Sequence, residues 1–579
     1  MRQTIRISWN RVLMRTETTP CSITKLVLLA IFGIFSPLTA LASGSVVVPG
    51  VGTILQEAES VMPPSPSSAE PGLRIEEDGE APYPPSDQFV VKTIRISGNT
   101  LFDTATLHGL VVDMEGRSLG LSQLADLVAR ITNYYHRYGY PLARAIIPAQ
   151  VIRDGIVEFV VIEARYDNIK LNNHSRVSDS LLQATLSPVQ SGQVIDEKDL
   201  NRSLLLLSDI KGSTTTAILK PGYTVNTSDL LVEVAPAPAI SGNVVLDNFG
   251  NHYTGRVRAG LTLNINNPLR HGDVLSVGGL SSGEGMSYGR ITYETLLNGK
   301  GTRTGGSYST LRYILGDTLT SLNAHGSSQE GSIWVRHPLV RSRAINLYGR
   351  IQYDRKQLRD RIDVSAIRTD RHLNRWGVSL SGDTRDRYLS GGINLWSVSW
   401  TGGNVVFEDS SAQLVDAVTA GTEGQFSKWN VSFARQQRLS SKNTLYFSVY
   451  GQLATTNLDS SEKMSAGGVY STRAYDVSAL SGDEGYQGVI ELRHDLGSAM
   501  HGRLQAIAFV DSAYLTVNNN SWVAGVNSAT LTGAGMGLNW TGPKQFTASV
   551  YVATRVGSAP VLVDDTSSVR AWVTINKTF

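Results

Sequence analysis

A chain of 579 residues exceeds what one ordinary hydrophobic core supports, so several domains are expected. A formal charge of +2, with only 18% charged residues, gives no reason to expect nucleic acid as a partner, and 55 glycines point to many turns. After residue 42, no stretch reaches the roughly 18 apolar residues that a membrane helix needs.

Residues 1–42 read as a signal peptide. Arg2, Arg6, Arg11, Arg15 and Lys25 make a basic segment, and Leu26 to Phe35 is an apolar run too short to span a bilayer. Ala40, Leu41 and Ala42 supply the cleavage site. The single cysteine, Cys21, lies inside this segment, so the mature chain is expected to lack disulfides, cysteine-held metal and a thiol nucleophile. Within residues 43–62, Ile54, Leu55, Ala58, Val61 and Met62 recur at helical spacing on one face. Pro63 and Pro64 stop that helix, and seven prolines between 63 and 87 predict an extended linker. A short amphipathic helix on a tether suits a movable plug; a disordered leader is the alternative.

Residues 88–165 predict a strand over Phe89 to Ile96, an amphipathic helix carrying Leu121, Leu124, Leu127, Val128 and Ile131, and two strands, Ala143 to Ile147 and Ile156 to Ile162. Residues 166–235 repeat this plan, so the two form a tandem of small α/β modules. From residue 236 to 579 strict alternation takes over without a helix. Val257, Ala259, Leu261, Leu263 and Ile265 face one way, and Arg256, Arg258, Gly260, Thr262 and Asn264 the other. A polar face that repeatedly carries Arg and Glu suits the inside of an outer-membrane barrel, and this length allows about 16 strands.

Two stretches near the C-terminus stand out. Arg473 and Tyr475 lie in a Gly-rich loop, after Gly467 and Gly468. Phe509 and Asp511 share one face of a strand. A loop folded into the lumen could present Arg473 to Asp511; two solvated surface charges are the alternative.

The mature chain resembles the two-partner secretion transporters (the TpsB family). Asp247, Phe249, Gly250, Arg258 and Asp273 are similar to that family's first barrel hairpin, and His337, Pro338 and Arg341 to another barrel signature. Thr472, Arg473, Ala474 and Tyr475 are similar to the loop signature of the wider superfamily, and Phe509, Asp511 and Ala513 to its strand signature, except that Ala474 and Ala513 stand where those signatures have glycine. The resemblance implies a 16-stranded transmembrane β-barrel, preceded by two periplasmic α/β POTRA domains and a plug helix, in the Gram-negative outer membrane. It implies an Arg473–Asp511 pair, no cofactor, and transport without ATP. Its partners would be a secreted exoprotein, often β-helical, outer-membrane lipid, and the barrel-insertion machinery, which would read the terminal Phe579.

Competing readings are an insertase of the same superfamily, a general porin, and an outer-membrane hydrolase. Gly279, Ser281 and Gly283 fit a nucleophile-elbow pattern but lack the helix that such an elbow needs. No paired-carboxylate site is evident, and Asp383, Arg385 and Asp386 read as a solvated strand end.

Overall fold

The computed structural model describes residues 48–59, 67, 70, 72–75, 86–564 and 567–579. The expected signal peptide, Val61 and Met62 lie outside the described residues.

Helix α1 is Val51–Glu59, and strand β1, Leu73–Ile75, follows in the Pro-rich stretch. The first module comprises β2 (Phe89–Val91), β3 (Thr93–Ser97), α2 (Thr104–His108), β4 (Arg117–Leu119), α3 (Leu121–Arg137), β5 (Arg144–Ile146) and β6 (Ile156–Ile162). The single strand expected from Phe89 to Ile96 is broken at Lys92. Lys92 and Thr93 both turn their N–H groups to the Gly155 carbonyl, at 2.7 and 3.3 Å, so the chain changes partner there. β2 pairs with β4, and β3 runs parallel to β6. Leu124, Leu127, Val128, Ile131 and Tyr135 form the buried stripe of α3 against this sheet.

Glu163 closes the module. Its carboxylate accepts hydrogen bonds from the Thr100 and Leu101 amides at 2.7 and 2.9 Å and from the Tyr135 hydroxyl at 2.9 Å. Burial pushes this carboxyl up, but the donors more than offset that and hold it below the usual carboxylate range.

The second module contains β7 (Arg165–Asn173), α4 (Asp179–Leu186), α5 (Glu197–Ser208), β8 (Ser213–Pro221) and β9 (Thr227–Pro236). Its sheet runs β1-β8-β9-β7, so β8 would be an edge without β1. β1 lies parallel to β8, with Arg74 beside Ile218.

The rest is a closed antiparallel barrel of 16 strands. They begin with β10 (Ile240–Asp247), β11 (Arg258–Asn266), β12 (Val274–Ser281), β13 (Met286–Leu296), β14 (Arg303–Ile314), β15 (Ala324–Arg341), β16 (Ile345–Ile362), β17 (Ile367–Asp386) and β18 (Gly392–Phe407). Helix α6 (Ser410–Val418) interrupts, then β19 (Gly424–Arg438) and β20 (Asn443–Ala454) continue the wall. Two short strands, β21 (Met464–Ala466) and β22 (Leu480–Gly482), pair in an inserted loop. β23 (Glu484–Ala499), β24 (Gly502–Thr516), β25 (Ser528–Thr541), β26 (Phe546–Arg555) and β27 (Val569–Thr578) complete the barrel.

β27 meets β10 to close it, with Asn243 beside Thr578 and Asp247 beside Thr574. The alternation maps onto the wall: Leu261, Ile265, Val510 and Ile575 are exposed outward, whereas Arg258, Asp511 and Trp572 are buried inward. The expectation of a helix-free barrel region is corrected by α6. Asp409 caps it through the Ser411 amide at 2.8 Å, a local signal hidden among longer alternating runs.

Candidate functional site: a loop and a helix inside the barrel

The chain between β20 and β23, residues 455–483, folds into the lumen. Its turn needs glycine: Gly467 and Gly468 have φ of 107° and 90°, and a Cβ at Gly467 would strike the Asp476 carbonyl. Beyond this turn Arg473 is buried in an acidic cradle. Its Nε and Nη2 donate to the two Asp511 carboxylate oxygens at 2.8 and 2.7 Å, and its Nη1 lies 2.8 Å from Glu491. The guanidinium carbon sits 3.4 Å from the centre of the Phe509 ring. Trp572 Nε1 donates to the Arg473 carbonyl at 2.7 Å, so strands β23, β24 and β27 all hold the tip. Tyr475 is buried beside it, in the same apolar cluster as Phe509 and Ala513. Asp476 receives both guanidinium nitrogens of Arg256 at 3.0 Å.

Ala474 is fully buried. It fits because β25 carries Gly533 opposite: a Cβ on Gly533 would lie 2.5 Å from the Ala474 Cβ. The methyl group absent at one position is present at the other.

The base of the loop is gripped with the opposite polarity. Glu462 is wholly buried and is met by Lys356 at 3.0 Å, Lys428 at 2.9 Å and Arg375 at 2.8 Å. Asp459 pairs with Arg371, which also binds Asp360 at 2.9 Å. These cations come from β16, β17 and β19. The sequence reading did not reach this grip. A signal was present, since Lys356 continues the inward series Arg350, Gln352 and Asp354 at a spacing of two.

Helix α1 lies against the loop base. Asp360 accepts the Val51 N–H at 2.7 Å, and Gln56 Nε2 donates to the Lys463 carbonyl at 2.8 Å. Gly52 allows the close approach, because a Cβ there would strike Ser460 and Ser461. Val51, Ile54 and Leu55 are buried among inward side chains such as Leu311, Leu358 and Phe426, with Ala58 partly buried at the margin. Burying side chains of this size contributes about 1.5–3 kcal/mol each. At the other end, Glu57 accepts from Asn251 at 3.2 Å, and Tyr288 donates to Glu59 at 3.0 Å.

Phe579 is half exposed, and its backbone exchanges two hydrogen bonds with Gly242, at 2.8 and 2.9 Å, where the barrel closes. The signature around His337 and Arg341 is where the second module docks. Arg341 makes two 2.8 Å bonds to the Asp209 carboxylate, and Arg202 donates to the Pro338 carbonyl at 3.0 Å. The reading of Asp383 as solvated is overturned. Asp383 is buried and accepts from Asn346 at 2.9 Å and Arg385 at 2.7 Å, because it faces the lumen beside the linker residue Ser67.

Residues 226–540 match the family described as haemolysin secretion/activation protein ShlB/FhaC/HecB, and residues 89–164 match the ShlB-type POTRA domain. A heme/hemopexin transporter protein, HuxB of Haemophilus influenzae, is 27% identical over 82% of this chain and 84% of its own. The outer membrane transporter CdiB of Escherichia coli is 24% identical over 78% of this chain and 76% of its own. The solved structure of CdiB from Escherichia coli superposes with a TM-score of 0.68 at 22% identity, covering 92% of this chain and 96% of that one, which shows a shared fold. With more than half its length matched, the chain belongs to the ShlB/FhaC/HecB family of two-partner secretion transporters: an outer-membrane barrel with periplasmic POTRA domains that secretes an exoprotein.

Proposed function

We propose that the exoprotein is recognised as an extended strand at the edge of the second POTRA sheet, in competition with the chain's own linker. The observation that carries this reading is β1 lying parallel on β8. That edge accepts a strand through main-chain bonds, which tolerate varied sequence. Linker and cargo would then exclude one another, and displacement of β1 would pull on α1. The exoprotein would pass unfolded along the polar lumen and fold outside, in many cases as a β-helix that propagates repeat by repeat. Nucleotide would take no part, since the periplasm offers none and the sequence carries no Walker-type loop. The Arg473–Asp511 pair would act as the latch that fixes the loop. The exposed apolar wall would face lipid, and Phe579 would be read by the insertion machinery during assembly.

The test is a cysteine pair at Arg74 and Ile218 in full-length transporter, which has no other cysteine after Cys21. Oxidation should stop secretion and a reductant restore it. Full secretion by the crosslinked transporter would refute the reading.

A further inference from the structure

We propose that Arg336 and Arg350 form a binding site for carboxylate side chains of an extended polypeptide, low in the lumen above the POTRA mouth. The two residues are directly opposite each other on β15 and β16. Both face inward, since their neighbours Ile333, Val335 and Ile351 are exposed on the outer wall. Like charges directly opposite on adjacent strands are destabilising. Here they are held in place by rings: Arg336 lies 4.0 Å from the centre of Tyr348, and Arg350 lies 4.7 Å from the Trp334 ring.

Four neighbouring inward arginines have a counter-charge. Arg303 has Glu294, Arg375 has Asp354, Arg341 has Asp209, and Arg385 has Asp383. Among the described residues, no carboxylate comes within ion-pair distance of Arg336 or Arg350. The carboxylates that act on Arg350 through space are Asp354 and Glu294. Both are engaged elsewhere: Asp354 by Arg375 at 2.9 Å, and Glu294 by Arg303 at 3.2 Å and Trp334 Nε1 at 3.4 Å. The Arg350 Nε is buried without a hydrogen-bond partner among the described residues. Residues 60–66, between α1 and Ser67 in the sequence, contain no acid.

Position supplies the rest. Arg336 lines a cavity of about 660 Å³ between the second POTRA domain and the barrel, together with Asp209, Arg303 and Tyr348. A second cavity, of about 640 Å³, rises past Arg290 to Arg473. The two share Ser276 and Thr292, so they adjoin. A strand leaving the POTRA domain through this cavity would pass Arg336. Two guanidinium forks that meet no carboxylate among the described residues suit carboxylates, which accept in the same plane.

This inference rests on the lumen being the path of an extended exoprotein. It is tested by binding alone, so its failure leaves that reading standing. The probe is fluorescein-labelled deca-glutamate, titrated into purified full-length transporter at low salt and followed by anisotropy. Saturable binding is expected, weakened at least about tenfold in the Arg336→Ala/Arg350→Ala variant and unchanged in Arg503→Ala. The Arg336→Lys/Arg350→Lys variant, which keeps the charge but not the fork, should fall between them. Heat-modifiable gel migration reports that each barrel is folded. Wild-type binding by the double alanine variant would overturn the proposal. So would inorganic phosphate displacing the probe as effectively as unlabelled deca-glutamate, since the site would then hold small anions only.

Discussion

The two ends of the lumenal loop are held by mirror-image electrostatics. At the tip a cation, Arg473, sits between Asp511 and Glu491; at the base an anion, Glu462, sits among Lys356, Lys428 and Arg375. The tip binds the β23–β24 wall, and the base binds the β16–β19 wall. The tip adds aromatic faces and a backbone hydrogen bond from Trp572. The base adds helix α1, through Gln56 and Asp360. The loop thus bridges the lumen, and the plug is fastened to its base through Gln56 and to the wall through Asp360, Asn251 and Tyr288, with no bond to Arg473 among the described residues. Releasing the plug and releasing the tip are therefore separable events.

The strongest way to break the comparison is to remove either central charge. Glu462→Ala leaves Lys428 with no ion-pair carboxylate among the described residues, and Arg473→Ala leaves Asp511 without its cation while Glu491 keeps Arg493. Each should cost the loop about 3–5 kcal/mol, because a buried charge stays behind. Limited proteolysis of the folded barrel should open the loop in both. Only Glu462→Ala should also expose α1, while Arg473→Ala should lower secretion with the barrel still inserted. Normal secretion by Arg473→Ala would remove the tip from the mechanism.

A subtler probe alters packing at the tip and leaves its charges alone. Gly533→Ala should destabilise the tip by about 1–3 kcal/mol through overpacking against Ala474. The double variant Ala474→Gly/Gly533→Ala should recover most of that, as read by thermal melting and protease sensitivity. Failure of the second change to rescue the first would show that the two methyl positions are not coupled.

Glu163 sharpens the contrast, as a buried carboxylate held by neutral donors instead of cations. Its Gln variant should cost about 1–3 kcal/mol in the first POTRA domain. Its carboxyl titrates lower folded than unfolded, so its contribution is fully present above the unfolded value of about 4.3 and is lost as pH falls through the lower folded value. Hydrogen exchange of α3 should therefore quicken with acid, relative to the intrinsic rate, in wild type and much less in Glu163→Gln. At the small end, Arg503→Ala breaks a pair with Asp495 that lies open to solvent and should leave thermal melting unchanged.

Much of this architecture was legible because its signals are local. The period-two runs around Leu261 and Val510 separate lipid face from lumen face, and the two α/β modules repeat within short windows. Arg473 and Asp511 drew notice because each sits in a compact motif. Glu462 did not, because its partners lie on β16, β17 and β19, 34 to 106 residues away along the chain. Alternation reveals which face a residue takes but not which strand it will stand beside. Asp383 was misread for the same reason: its neighbours Asn346 and Ser67 are remote in sequence. The linker strand β1 was hidden because three residues among prolines carry no periodicity of their own.

That linker strand has a quantitative consequence. A segment tethered next to its own binding edge is present there at an effective concentration on the order of millimolar. A free peptide in the periplasm, however abundant by ordinary standards, would rarely win such a contest one strand at a time. A cargo that engages several edges at once multiplies its avidity and can win. If cargo competes for that edge as proposed, the tether would work as a threshold, screening out stray unfolded chains without reading any residue of their sequence.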